Sequence, residues 1–270
     1  MPPVKVNGQK IFYRESGSGP ITLVCLHGIS SNSRSWQRQL DLLAEQYRVI
    51  AWDTPGYGQS DDPPEALPMA FYAGQLAGFM DALDLPEAVI VGLSMGGVLA
   101  QEFYRQRPTR VQALVLADTN TGGGARPPAE RKARLEGRLK ALAELSLEDM
   151  ARQRAPALLS PNPAPGLVAE VETMMREIHP VGYRYMAMAL DGADTREILP
   201  EIKVPGLVLW GEHDRVTSRE EAGVLRAAMP GAAFEVIAGA GHLSNLEQPA
   251  AFNRALTTFL AKALAAPTSR

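Results

Sequence analysis

Ala88-Val89-Ile90-Val91-Gly92-Leu93-Ser94-Met95-Gly96-Gly97-Val98-Leu99-Ala100-Gln101 is the stretch that decides the fold. Its apolar opening reads as a buried strand, and the residues after Gly97 read as a helix. A strand, then Gly-x-Ser-x-Gly, then a helix is the setting of a nucleophile elbow. The turn is so sharp that neighbouring side chains must be absent. Gly92 and Gly96 supply that room on either side of Ser94. The hydroxyl then stands at a helix N-terminus, where the backbone dipole favours developing negative charge. Taken alone the pattern is common turn composition, and an idle serine is the plainer reading. The rest of the chain weighs between the two.

Around this turn, apolar runs alternate with amphipathic ones. Strands are expected at Gln9–Glu15, Ile21–Leu26, Tyr47–Trp52, Glu87–Val91 and Val111–Ala117. Helices are expected at Ser35–Ala44, Phe71–Leu83 and Met95–Arg107. The alternation resumes late, with strands at Gly206–Trp210 and Ala233–Ile237 and helices at Arg219–Met229 and Ala250–Leu264. Such alternation predicts a parallel sheet covered on both faces. Between about Thr119 and Pro200 the pattern holds helices only, near Pro128–Leu145, Leu147–Ala155, Leu167–Ile178 and Val181–Leu190. Pro127-Pro128 suits the start of the first helix, and Ser146 with Asp149 suits a cap on the second. The expected organisation is a core of residues 1–118 and 201–270 with a helical cap at 119–200. An insertion of this kind sits at the carboxyl edge of an open sheet, where ligands bind.

The 270 residues suit one large α/β domain, and an apolar content of 46% is ample for its core. A net charge of −3 argues against a nucleic-acid partner. Cys25, the single cysteine, lies in an apolar run and reads as an inert buried strand residue. Residues 1–8 lack the apolar stretch of a signal peptide, and no segment approaches the length of a membrane span. A cytoplasmic protein with a small-molecule substrate and no membrane partner is therefore expected. Composition says nothing of the oligomeric state.

A serine hydroxyl is a poor nucleophile at neutral pH and needs a base, and that base needs a carboxylate to hold it. Only four histidines are present. His242, in Ala240-Gly241-His242-Leu243-Ser244, lies between the last strand and the last helix. That is the place the serine–acid–histidine chain order requires. His213 sits beside Asp214 after a strand, His27 ends an early strand, and His179 lies inside the insertion. Asp214 is the leading acid, in Gly211-Glu212-His213-Asp214 after the strand Gly206–Trp210. Asp118, at the end of Val111–Ala117, competes with it. Glu212 reads as part of the turn. Acyl transfer also needs donors for an oxyanion. The backbone N–H of Met95 and of Ile29, which follows His27-Gly28, are the candidates.

At this point the chain resembles an α/β-hydrolase fold enzyme over nearly its full length. The resemblance rests on Leu26-His27-Gly28-Ile29, Asp53-Thr54-Pro55-Gly56-Tyr57-Gly58-Gln59-Ser60, Gly92-Leu93-Ser94-Met95-Gly96-Gly97, and Gly211-Glu212-His213-Asp214 with Gly241-His242. It implies a mostly parallel eight-stranded sheet with helices on both faces, an inserted helical cap and a Ser94–Asp214–His242 triad. It also implies a structural role for Asp53–Ser60. Gly-Leu-Ser-Met-Gly-Gly is similar to the elbow of 3-oxoadipate enol-lactonases and related small esterases, and Ser-Met-Gly-Gly occurs in carbon–carbon bond hydrolases of ring-cleavage products. The chain departs from both. His27-Gly28 stands where the enol-lactonases carry His-Ser, and Ile29-Ser30-Ser31-Asn32 replaces a Gly-rich oxyanion loop. The chemistry implied needs no cofactor and no metal.

The leading expectation is a serine hydrolase cleaving an ester or lactone. Carbon–carbon bond hydrolysis with the same triad is the alternative, with perhydrolysis as a side reaction. A ligand receptor with little turnover is a third reading. Arg184 in the cap is a candidate to pair a substrate carboxylate, against a solvated role. Met174, Met175, Met186 and Met188 either line a pocket or pack helices.

Overall fold

The apolar runs become strands of one twisted sheet in a computed structural model that describes residues 3–265. The outermost residues of the expected core, 1–2 and 266–270, lie outside the described part. In chain order the elements are β1 (Val4–Val6), β2 (Gln9–Ile11), β3 (Tyr13–Ser16), β4 (Ile21–Leu26), α1 (Gln37–Leu43), β5 (Tyr47–Trp52), α2 (Met69–Ala82), β6 (Ala88–Leu93), α3 (Met95–Gln106) and β7 (Val111–Ala117). Then come α4 (Pro128–Glu144), α5 (Leu147–Arg154), α6 (Leu167–Arg176) and α7 (Pro180–Gly192), followed by β8 (Gly206–Gly211), α8 (Arg219–Ala228), β9 (Ala233–Ile237), α9 (Ser244–Glu247) and α10 (Pro249–Ala263).

The main sheet has seven strands in the order β3-β5-β4-β6-β7-β8-β9, not the expected eight. Every neighbouring pair is parallel except β3 with β5. The missing strand is spent locally. Asn7 and Gly8, at φ 48° and 85°, turn β1 back onto β2 as a separate hairpin. The expected continuous strand Gln9–Glu15 is broken at Phe12, whose N–H donates to Ser60 Oγ at 2.9 Å rather than to a neighbouring strand. The helix expected from Ser35 starts as a 3₁₀ turn at Ser33–Trp36, because the Asn32 side chain caps it by accepting from Arg34 N.

Strand side chains alternate faces, and the core divides accordingly. Val24, Ile90, Leu114 and Val208 pack with α2, α3 and α8 on one face. Leu23, Val89, Val115 and Leu209 pack with α1 and α10 on the other. β6, buried along its whole length, is the central strand. The chain builds outward from β4 to β5 and then crosses back to β6, so β4 and β6 flank the switch point where open α/β sheets bind ligands. Leu26 and Gly92 are in register there, which sets the loop after β4 beside the elbow after β6.

The helices α4–α7 lie between β7 and β8, on the carboxyl edge. Ser146 accepts from Asp149 N and starts α5 as expected. Contacts with the sheet loops seat the segment. Gly182 of α7 meets Gly56 backbone to backbone, where a Cβ would lie 2.1 Å from the Gly56 carbonyl oxygen. His179 Nδ1 lies 2.8 Å from Asp62, and its Nε2 donates to the Gly58 carbonyl at 3.0 Å. Arg38 of α1 forks onto Glu170 of α6 with two 2.8 Å bonds. Among the described residues no helix is long and apolar enough to cross a membrane.

Candidate active site

Ser94 adopts φ 55° and ψ −117°, a conformation that costs a non-glycine residue about 1–3 kcal/mol. Its surroundings hold it there. Ser94 N donates to the Ala117 carbonyl at 2.9 Å, and Thr119 Oγ1 donates to the Ser94 carbonyl at 2.6 Å. The glycines are forced by space. A Cβ on Gly92 would lie 2.3 Å from Gly96 O, and one on Gly96 would lie 2.1 Å from Leu26 O. Gly28 passes close enough that its Cβ would sit 3.8 Å from Ser94 Oγ.

Strands β6, β8 and β9 belong to the parallel run β6-β7-β8-β9, so their loops leave the same edge of the sheet and bring three side chains together. His242 Nε2 lies 2.9 Å from Ser94 Oγ. His242 Nδ1 lies 2.9 Å from Asp214 Oδ2, and both groups are buried. Asp214 Oδ1 accepts from the amides of Val216 at 2.7 Å and Thr217 at 3.0 Å. The carboxylate is thereby fully used, with one oxygen fixed by backbone and the other by the imidazole. Burial alone would lower the His242 pKa, but the Asp214 charge, its hydrogen bond and the nearby Asp118 raise it above the ordinary value. The His242 loop is also tied to the helical segment. His242 N donates to Leu158 O at 2.9 Å, and Glu247 accepts from Gly241 N and Ser160 N.

Asp118 lies next to this group but touches neither nitrogen of the His242 ring. It is fully buried, and its Oδ1 accepts from Gly211 N at 2.8 Å. Its Oδ2 accepts from Ser244 Oγ at 2.5 Å and Ser244 N at 3.2 Å. It therefore binds the loop that carries Asp214 to the loop that carries His242. Burial, reinforced by the Asp214 charge, pushes its carboxyl up to about 7.

Ile29 and Met95 line the space above Ser94, and their backbone N–H groups donate to no backbone or side-chain acceptor among the described residues. Met95 opens α3, so its N–H has no intrahelical partner. His27 is buried one step away, where burial lowers its pKa. Its Nε2 accepts from Thr54 N at 3.1 Å, so Nδ1 carries the proton and donates to Gly28 O at 2.8 Å. The imidazole thus braces the loop of Ile29 against the loop after β5. Within that second loop, Asp53 accepts from Ser33 N and Gln59 N, which is a scaffolding arrangement. His213 and Glu212 are exposed, and Glu212 accepts from Gly239 N in the turn. Cys25 is buried in β4, where burial pushes its thiol up.

The walls of the site come from α4–α7. Met174 lines the cleft over Ser94, Met175 and Met186 are packed in the interior, and Met188 is exposed. Arg184 is exposed on α7 and outside that cleft, so it does not take the role considered for it. Instead Arg131, Arg134 and Arg138 of α4 and Arg154 of α5 face the site. Arg131, Arg134 and Arg138 form a single-sign stripe at the i, i+3, i+7 spacing of one helical face, a pattern present in the sequence. Among the described residues, no group of three or more His, Cys, Asp or Glu side chains is placed to hold a metal ion.

A family model described as alpha/beta hydrolase fold matches residues 21–249. The chain is 31% identical over 264 residues to a 2-hydroxy-6-oxononadienedioate/2-hydroxy-6-oxononatrienedioate hydrolase of Cupriavidus pinatubonensis, covering 93% of this chain and 90% of the relative. It is 29% identical over 237 residues to 3-oxoadipate enol-lactonase 2 of Acinetobacter baylyi, covering 87% and 86%. A thermophilic esterase from Thermogutta terrifontis, solved with malate bound, superposes with a TM-score of 0.87 at 28% identity, covering 97% of both chains.

Proposed function

The chain belongs to the α/β-hydrolase fold family, and from that premise we propose that it is a serine hydrolase cleaving a carboxylic ester or lactone through Ser94, His242 and Asp214. The observation that carries this reading is the unbroken line from Ser94 Oγ to His242 Nε2 and from His242 Nδ1 to Asp214, each step 2.9 Å. In its neutral form His242 bears its proton on Nδ1, facing the carboxylate, and leaves Nε2 free to accept. It takes the Ser94 proton as Ser94 Oγ attacks the carbonyl carbon. The oxyanion that forms is held by the amides of Ile29 and Met95, aided by the N-terminus of α3. His242 then returns the proton to the departing oxygen, and the acyl-enzyme remains. Water, deprotonated by the same imidazole, releases the acid and restores Ser94. In this reading residues 119–200 are the lid that shapes the substrate.

Carbon–carbon bond hydrolysis beside a carbonyl is the second reading, favoured by the likeness to the Cupriavidus pinatubonensis hydrolase. A substrate panel separates the two: nitrophenyl esters, lactones and vinylogous diketone acids. Turnover of the esters and lactones, with the diketone acids slower by at least about 100-fold, is the expected result. The opposite ranking rejects the ester reading.

A further inference from the structure

Two clefts meet at Ser94. One is polar and receives Arg131, Arg134 and Arg138 from α4, with Arg126 from the preceding loop. The other is apolar, walled by Leu158, Val171, Met174 and Leu243, and it contains His242 and Arg154. Arg138 borders both. Two of these cations are already matched, Arg126 by Glu130 and Glu221 and Arg131 by Asp191. Among the described residues, the guanidinium groups of Arg134, Arg138 and Arg154 form no hydrogen bond and no ion pair. Asp191, bonded to Arg131, is the one acid lining the first cleft, and the second has none.

Arg134 and Arg138 lie one helical turn apart, a spacing at which like charges repel. Burial and, after it, the neighbouring arginine charges pull both guanidinia below the ordinary arginine range. A protein holds unmatched cations together in a half-enclosed space at a cost that a bound anion offsets. Each of these guanidinium nitrogens keeps some exposure, since none is among the buried unpartnered atoms.

We propose that Arg138 and Arg134 bind a carboxylate carried by the acyl part of the substrate, while the leaving group occupies the apolar cleft. The inference rests on the serine-hydrolase reading for its orientation. His242 must reach the departing oxygen, and His242 lines the apolar cleft, so the leaving group lies there. The acyl chain then runs the other way, toward α4. A guanidinium fork matches a carboxylate with two parallel hydrogen bonds, and Arg134 and Arg138, both lining the polar cleft, offer two such forks to the acyl chain. The acid released is then a dicarboxylate.

Three esters test the proposal: monobenzyl glutarate, the neutral benzyl pentanoate of the same length, and 4-(pentanoyloxymethyl)benzoate, whose carboxylate is on the leaving group. Monobenzyl glutarate is expected to exceed benzyl pentanoate in kcat/KM by at least about tenfold. Arg138→Met and Arg134→Met shrink that ratio toward one, whereas Arg184→Met, outside the clefts, keeps it. Equal kcat/KM for the glutarate and pentanoate esters, or a preference for the benzoate, overturns the proposal and leaves the serine-hydrolase reading standing. Calorimetric titration with glutarate and with inorganic phosphate needs no turnover. If no ester is cleaved here or in the nitrophenyl and lactone panel, the ester reading fails, and this titration decides the anion site. Glutarate binding weakened by about tenfold in Arg138→Met supports it; absent glutarate binding, or tighter binding of phosphate, overturns it.

Discussion

Replacing Asp214 by asparagine separates the two buried acids at this site. The amides of Val216 and Thr217 both donate to Asp214 Oδ1. An asparagine keeps an acceptor at that position only by directing its carboxamide oxygen there. Its NH₂ then faces His242 Nδ1, where Asp214 Oδ2 now lies 2.9 Å away. Two donors cannot face each other, so His242 moves its proton to Nε2 and presents N–H to Ser94 Oγ. That tautomer cannot accept the serine proton. The matched substitution in the serine protease template costs about 10⁴ in kcat, or roughly 5.4 kcal/mol. Asp118→Asn leaves the ring of His242 untouched, because Asp118 bonds Gly211 N and Ser244 instead. Its kcat is expected within about tenfold of the parent, roughly 1.4 kcal/mol. The assay is kcat on a short-chain nitrophenyl ester, with a thermal melt showing that both variants fold. If Asp118→Asn is the crippled variant and Asp214→Asn stays within tenfold, the assignment of the acid is wrong.

Three further outcomes follow from the geometry. The kcat/KM of the free enzyme is expected to rise with pH through an apparent pKa above the ordinary histidine value of about 6.5, since the neutral imidazole is the base and Asp214 favours its cation; a flat profile from about pH 5 to 8 contradicts this. The same raised pKa means that His242 contributes stability below its unfolded pKa, and that this contribution is lost as pH rises through the folded value. Gly96→Ala pushes a methyl to 2.1 Å from Leu26 O, a backbone atom that cannot swing aside. Overpacking of this kind costs about 1–3 kcal/mol, a fall in Tm of roughly 2–12 °C by calorimetry; an unchanged Tm refutes the close approach.

The parallel core was legible because its strands are buried on both faces and read as continuous apolar runs, as Ile21–Leu26 and Val111–Ala117 do. The break at Phe12 was not, since it depends on Ser60, 48 positions away in sequence. The hairpin has a local signal in Asn7-Gly8, a two-residue turn between Val4-Lys5-Val6 and Gln9-Lys10-Ile11. Ser94, His242 and Asp214 stood out because each lies in a short loop behind a strand. The choice between Asp118 and Asp214 was open in the sequence because both follow strands; their hydrogen-bond partners distinguish them. Arg134 and Arg138 stayed hidden because the inward face of α4 is set by its packing on α7 and α5, not by its own charges.

Covalent labelling of Ser94 tests the central claim most directly. A serine-directed alkyl phosphonate, followed by intact mass and peptide mapping, is expected to add one adduct on the peptide containing Ser94 and to abolish esterase activity in step. Ser94→Ala is expected to take up no label and to lose roughly 10³- to 10⁶-fold in kcat, since the members of such a triad act as a unit. An adduct that persists in Ser94→Ala, or one mapped elsewhere while activity survives, contradicts the account.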